Sequence, residues 1–199
     1  MSYESLFSPI SIKGLSFKNR IVMPPMATNF GIVTDQSIAY YTKRALGGVG
    51  SIIIEGVPTH LFRDRQFQDR LKLLADSIHR NNVNVFVQLT IRSNPQPRRD
   101  VTDIPIDEIR SFIDDFVYAG KVCLEAGFDG VEPHGAHGFI MNQFFSPIFN
   151  RRDDDYGGDV YRRMRFSLEV IRGLRSIAND KFLILYRHTP VEWREGGYS

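Results

Sequence analysis

Residues 127–145 read GFDGVEPHGAHGFIMNQFF. A short apolar run leads directly into two histidines three apart, His134 and His137, each followed by a glycine, Gly135 and Gly138. A run that is apolar on both faces is the pattern of a strand in a parallel sheet covered on both sides. The glycines allow a sharp turn at its end and leave room for a ring or a ligand. Working outward, four more runs share this character, and with FDGVEPH (128–134) they make five. They are RIVMPPM (20–26), GSIIIEG (50–56), NVFVQL (84–89) and FLILYRH (182–188).

Helical spacing fills the intervals. Residues 36–46, QSIAYYTKRAL, stop at Gly47-Gly48, a helix-ending pair. Over 69–81, Leu71, Leu74, Ala75 and Ile78 share one face. Over 105–126 the apolar positions include Ile109, Ile113, Phe116, Cys123 and Leu124, with Asp103 as the expected N-terminal cap and Gly127 as the stop. Over 159–176, Phe166, Val170, Ile171 and Leu174 share a face. Strand–helix alternation with short connections predicts right-handed βαβ units and a parallel sheet, an α/β domain spanning 1–199. Residues 94–105, NPQPRRDVTDIP, read as a polar, proline-rich loop. No repeat is visible beyond the βα rhythm.

The bulk numbers narrow the function. The chain has 199 residues, 42% hydrophobic and 24% charged, with a net charge of +2. Nothing in that balance points to a nucleic-acid partner. The dense run RRDDDYGGDVYRRMR (151–165) is as well explained by a solvated helix start as by a binding role. One cysteine, Cys123, excludes an internal disulfide framework, and its apolar helical setting makes it a core residue. No signal peptide and no membrane-length apolar run is present, so a cytoplasmic protein with no membrane partner is expected.

Chemistry in parallel α/β folds collects at the carboxyl ends of strands. After the first run come Pro25, Met26, Ala27 and Thr28. After the second come Glu55 and Gly56. The third ends at Gln88, the fourth at His134 and His137, the fifth at Arg187 and His188. Gln88 can both give and accept at an amide-like edge, and Arg187 can hold a planar anionic group. The two histidines can both donate to one oxygen. Together these suit a flat heterocycle with imide-like edges and a carbonyl substrate stacked over it. Zinc is the rival for two histidines three apart, but it needs a third ligand and only Glu132 is near, so no metal is assigned.

At these residues the chain resembles the old-yellow-enzyme type of NADH:flavin oxidoreductase, the ene-reductases. The resemblance runs through LFSPISIKGLSFKNRIVMPPMATN, YYTKRALGGVGSIIIEG, VFVQL, EAGFDGVEPHGAHGFIMNQFFSPIFNRRDDDYGG and LILYRH. The block 127–158 is the specific one, and the coverage is nearly complete. The resemblance implies a (β/α)8 TIM barrel holding FMN at its carboxyl mouth, with NADH or NADPH as hydride donor. It implies that Pro24, Pro25, Met26 and Ala27 run under the flavin ring. Gln88 would meet the pyrimidine edge, and Arg187 the N1–C2=O region. His134 and His137 would bind the carbonyl oxygen of an enone or enoate, whose C=C accepts a hydride from the flavin.

Three departures from the family pattern stand out. Phe139 takes the place of a proton-donating tyrosine. QLTIRSN replaces a longer strand end with His and Gly-Arg, leaving Arg92 as the stand-in arginine. A full barrel takes about 250 residues, whereas this sequence reaches only strand five, so a barrel lacking its C-terminal strands is expected, completed by self-association or by a missing C-terminal part. The alternative function is a non-catalytic remnant or interaction subunit. The MPPMATN wording is similar to that of the family's iron–sulfur, multidomain branch.

Overall fold

The computed structural model describes residues 3–91 and 100–198. A short helix α1 (Glu4–Phe7) precedes an antiparallel hairpin, β1 (Ile10–Ile12) and β2 (Leu15–Phe17), with Ile10 opposite Phe17. This hairpin was not among the expected strands. Its signal is in the sequence: alternating Ile10, Ile12, Leu15 and Phe17 around a two-residue loop, Lys13-Gly14. Both loop residues take positive φ, 49° and 78°, which matches the twist of the paired strands.

The expected parallel sheet follows. Its strands are β3 (Val22–Met23), β4 (Ser51–Pro58), β5 (Asn84–Thr90), β6 (Gly130–Gly135), β7 (Leu183–Ile184) and β8 (Arg187–His188). The order is β3-β4-β5-β6-β7, all parallel, with β8 pairing further along β6. The fifth expected strand is therefore two short pieces on one neighbour. Helices α2 (Asp35–Leu46), α3 (Arg65–His79), α4 (Ile106–Glu125), α5 (Ile140–Phe145) and α6 (Val160–Ile177) complete the set.

Helix ends follow local chemistry. α3 begins a turn earlier than its apolar spacing indicated, because the Asp64 side chain accepts from the backbone N–H groups of Gln66 and Phe67. Asp103 does not cap α4: the N-cap position falls on Pro105, and Asp103 lies in a 3₁₀ turn, Val101–Asp103. The expected stop at Gly127 is present. Gly127 (φ 89°) donates to the Leu124 carbonyl at 3.1 Å and Phe128 to that of Cys123 at 3.0 Å, the paired bonds of a left-handed helix end.

The double-sided apolar reading of the strands is explained by two layers. Ile52, Ile54, Val85, Val87 and Val131 belong to the main core, with Leu71, Leu74 and Ile78 of α3, Phe116 and Cys123 of α4 and Phe166 and Val170 of α6. The alternate residues, Ile53 and Phe86, form a second cluster with Leu183 and Phe17. The hairpin thus reaches the sheet's other face, where the rings of Phe17 and Phe86 stack at 6.2 Å. Cys123 is buried, and desolvation pushes its thiol up and out of the reactive range.

Of the two readings left open for the run 151–165, a solvated helix start does not hold for Arg152, which is buried. Its Nη1 donates to the carbonyls of Val101 (2.7 Å), Thr102 (3.1 Å) and Ile104 (2.7 Å), and its Nε and Nη2 meet the Asp154 carboxylate. The guanidinium in turn holds the Asp154 carboxyl below its ordinary range. A lysine cannot reproduce this fork. Arg152→Lys is expected to lower stability by about 2 kcal/mol through unpaired buried carbonyls, read as a fall in the urea midpoint at unchanged slope. No described helix is long and apolar enough to cross a membrane.

Candidate active site at the carboxyl ends of the strands

A cleft of about 300 Å³ opens at the carboxyl ends of β4, β5 and β6. Six of the eight expected site residues line it: Pro25, Ala27, Gln88, His134, His137 and Arg187. Gly56, Thr90 and Phe139 complete the wall. Pro24 and Met26 do not line it. Met26 is 54% exposed, and the alternation Pro25-in, Met26-out, Ala27-in is that of an extended chain crossing the cleft floor. Arg92 lies outside the described residues.

Glu55 fixes that floor. Thr28 donates to its carboxylate through both backbone N–H (3.0 Å) and hydroxyl (2.6 Å). From the other side Tyr41 donates to Glu55 Oε1 at 3.4 Å and accepts from the Glu55 N–H at 3.2 Å. Burial, reinforced by the neighbouring carboxylate, pushes the Tyr41 phenol up, so it stays a donor. The register of β4 against β5 slips between Ile54 and Val57. This irregularity sets Gly56 beside Gln88, where a Cβ would lie 3.2 Å from Gln88 Oε1.

The opposite wall is built on β6. Glu132 and His134 point to the same face of the strand, two residues apart. Glu132 pairs in register with Gln88, and His134 with Arg187. The buried Glu132 carboxylate accepts from Gln88 Nε2 at 2.7 Å and from Arg187 Nε and Nη2 at 3.2 and 3.4 Å. Sequence reasoning weighed Glu132 only as a metal ligand. The structure turns it instead toward the two side chains expected at a flavin. Among the described residues no three His, Cys, Asp or Glu side chains are grouped to hold a metal ion.

His134 is 5% exposed, and its Nδ1 is buried without a partner. Desolvation first, then the charges of His137 and Arg187, push its imidazole down to about 4. The ring is neutral at pH 7 and carries one proton. An unpaired buried donor is the more costly arrangement, so we assign that proton to Nε2. His137 is exposed and held at φ 58°, an uncommon conformation for a non-glycine residue. Its loop is secured by neighbours: Thr189 Oγ1 accepts from His137 N (3.3 Å), Asn142 Oδ1 from Gly138 N (2.8 Å), and Gln143 Nε2 donates to Gly138 O (2.6 Å). The two imidazole rings stand edge to face at 5.2 Å, and the Phe139 ring lies 4.4 Å from His134. His188 turns away from the cleft and stacks with Tyr186 and Tyr198.

The depressed His134 gives a pH dependence with a definite sign. Below about pH 6.5 the unfolded chain takes a proton at this residue, while the folded chain takes it only near pH 4. Stability is therefore fully present above pH 6.5 and lost as the pH falls toward 4. Between pH 7 and 5 the loss is roughly 2 kcal/mol. His134→Gln is expected to remove that part of the acid sensitivity, seen by comparing urea midpoints of the two proteins at both pH values.

The NADH:flavin oxidoreductase / NADH oxidase family model matches residues 5–97 and 94–198. The chain belongs to that family. It is 36% identical to an NADH oxidase of Thermoanaerobacter brockii, over 98% of this chain and 35% of the relative. It is 32% identical to an NADPH dehydrogenase of Clostridium acetobutylicum, over 96% of this chain and 66% of the relative. Among solved structures, a 2-naphthoyl-CoA reductase complex superposes on the whole chain with TM-score 0.90 and 25% identity, over 37% of its own length. Morphinone reductase matches the fold over 92% of this chain and 63% of its own, TM-score 0.78. The chain thus spans about one third to two thirds of these relatives, as expected for a partial TIM-type barrel of an FMN and NAD(P)H oxidoreductase family.

The two matched ranges of the family model overlap at residues 94–97, at the end of the QLTIRSN stretch.

Proposed function

We propose that this chain forms the ring-binding part of an FMN site that takes a hydride from NADH or NADPH. From that site the C=C bond of an α,β-unsaturated carbonyl compound is reduced. The observation that carries this reading is the Gln88–Glu132–Arg187 array set beside the neutral His134 in one cleft. The donor set fits the ring: Gln88 meets an imide edge and Arg187 an oxygen that gains negative charge on reduction. Pro25 and Ala27 offer a flat, uncharged floor. When bound, FMN supplies the centre that accepts and returns the hydride.

The remaining work falls to the histidines. His134, neutral and donating through Nε2, and His137 at the cleft's edge hold the substrate's carbonyl oxygen. Negative charge grows on that oxygen as the β-carbon is reduced, so both bonds strengthen toward the transition state. Phe139 carries no proton to give. The α-carbon is protonated from solvent.

The residues gathered in the cleft meet the ring rather than the phosphate, so riboflavin as well as FMN is expected to bind this chain. The test mixes purified chain with either flavin and NADPH without oxygen. Bleaching of the flavin absorbance, then its return on adding an enone, supports the reading. No perturbation of either flavin's spectrum would sink it and leave a non-catalytic, interaction role. Phe139, which has no proton to give, favours that role.

A further inference from the structure

Glu132 is 4% exposed. A buried carboxylate is costly unless its charge is paired and its oxygens are bonded. Its partners here, Gln88 and Arg187, are two of the polar side chains that line the cleft. Oε1 accepts from Gln88 Nε2 (2.7 Å) and Arg187 Nε (3.2 Å), and Oε2 accepts from Arg187 Nη2 (3.4 Å).

Two consequences follow for whatever the cleft binds. A glutamine amide left alone presents either end. Turning this one would set Gln88 Oε1 against the carboxylate, so Nε2 stays on Glu132 and Oε1 stays beside Gly56, which lines the cleft. The cleft then offers an acceptor from Gln88 and the remaining N–H groups of Arg187 as donors. That pattern reads a ligand edge with an N–H next to a carbonyl, the edge of a cyclic imide. The second consequence is electrostatic. Arg187 faces the ligand with its charge offset by a carboxylate at hydrogen-bond distance, so it draws electrons toward the ligand less than a lone arginine would.

We propose that Glu132 is a positioning residue that fixes the hydrogen-bond polarity of the cleft, and that it lowers the reduction potential of the ring held there. The second part rests on the flavin reading above; the first does not. Glu132 touches neither reacting atom and acts through its two partners.

The experiment has a flavin-free arm. In the ¹⁵N-labelled full chain, the Gln88 side-chain amide and the Arg187 Nε–H are expected to exchange with solvent at least tenfold more slowly than the amide of exposed Gln36. Glu132→Gln is expected to remove that protection, with Gln88→Ala assigning the signal. Free exchange at Gln88 in the unsubstituted protein, or protection unchanged in Glu132→Gln, would overturn the positioning claim. The second arm measures the midpoint potential of bound riboflavin. Glu132→Gln is expected to favour the reduced over the oxidised ring about tenfold, a rise of about 30 mV for a two-electron couple. An unchanged or lower potential overturns the electrostatic claim. If riboflavin does not bind at all, the flavin reading fails together with the electrostatic claim, and the exchange data still decide the positioning claim.

Discussion

Gly130→Ala is expected to lower the stability of this chain by about 4 kcal/mol, well above the ordinary range for a surface or helix substitution. Gly130 opens β6 and pairs with Leu183 of β7. A Cβ there would lie 2.1 Å from the Leu183 carbonyl oxygen and 2.9 Å from Phe86 Cδ1. The first contact is backbone, so no rotamer change relieves it. The strands must separate or the pairing must be lost, and either exposes the cluster of Ile53, Phe86 and Leu183. Gly127→Ala is the control three residues away. Gly127 has positive φ but open space around a Cβ, so the penalty there is the conformational one alone, about 1 kcal/mol. Equal urea midpoints for the two variants would refute the argument.

His134→Ala is expected to slow reduction of an enone by the pre-reduced protein by about 10² to 10³-fold, the loss typical of one preorganised oxyanion donor. His137→Ala is expected to cost about tenfold, because that ring is exposed and its bond competes with water. Stopped-flow measurement of the re-oxidation step alone isolates the effect, since polarisation of the acceptor carbonyl belongs to that step. Equal losses from the two substitutions would show that burial of His134 plays no part.

The strands were legible in the sequence for a clear reason. Ile52-Ile53-Ile54 and Val85-Phe86-Val87 are apolar at every position, and each face found a core to enter. The residues that line the cleft were legible because parallel strands deliver their carboxyl ends to one rim. The relations between them were not. Nothing in the spacing of Gln88, Glu132 and Arg187 announces that one carboxylate joins the other two, because that depends on strand register across 44 and 55 residues of sequence separation. The split of residues 24–27 into Pro25 and Ala27, which line the cleft, and Pro24 and Met26, which do not, was equally hidden. It follows from the Glu55 tether, a contact 27 residues away from Thr28. The run 151–165 stayed open for a similar reason: nothing in it shows that Arg152 meets the carbonyls of Val101, Thr102 and Ile104.

The β1–β2 hairpin is made before the sheet, yet its seat is completed only by Leu183. Phe17 rests on Phe86 and on Leu183, and the latter leaves the ribosome more than 160 residues after it. At ordinary rates of synthesis that delay is on the order of ten seconds or more. Throughout it the hairpin's apolar edge has Ile53 and Phe86 of the growing sheet to rest on but not Leu183. The nascent chain thus carries an incompletely covered apolar surface, and its period of exposure to chaperones and to aggregation there ends only when the strand at 183–184 emerges.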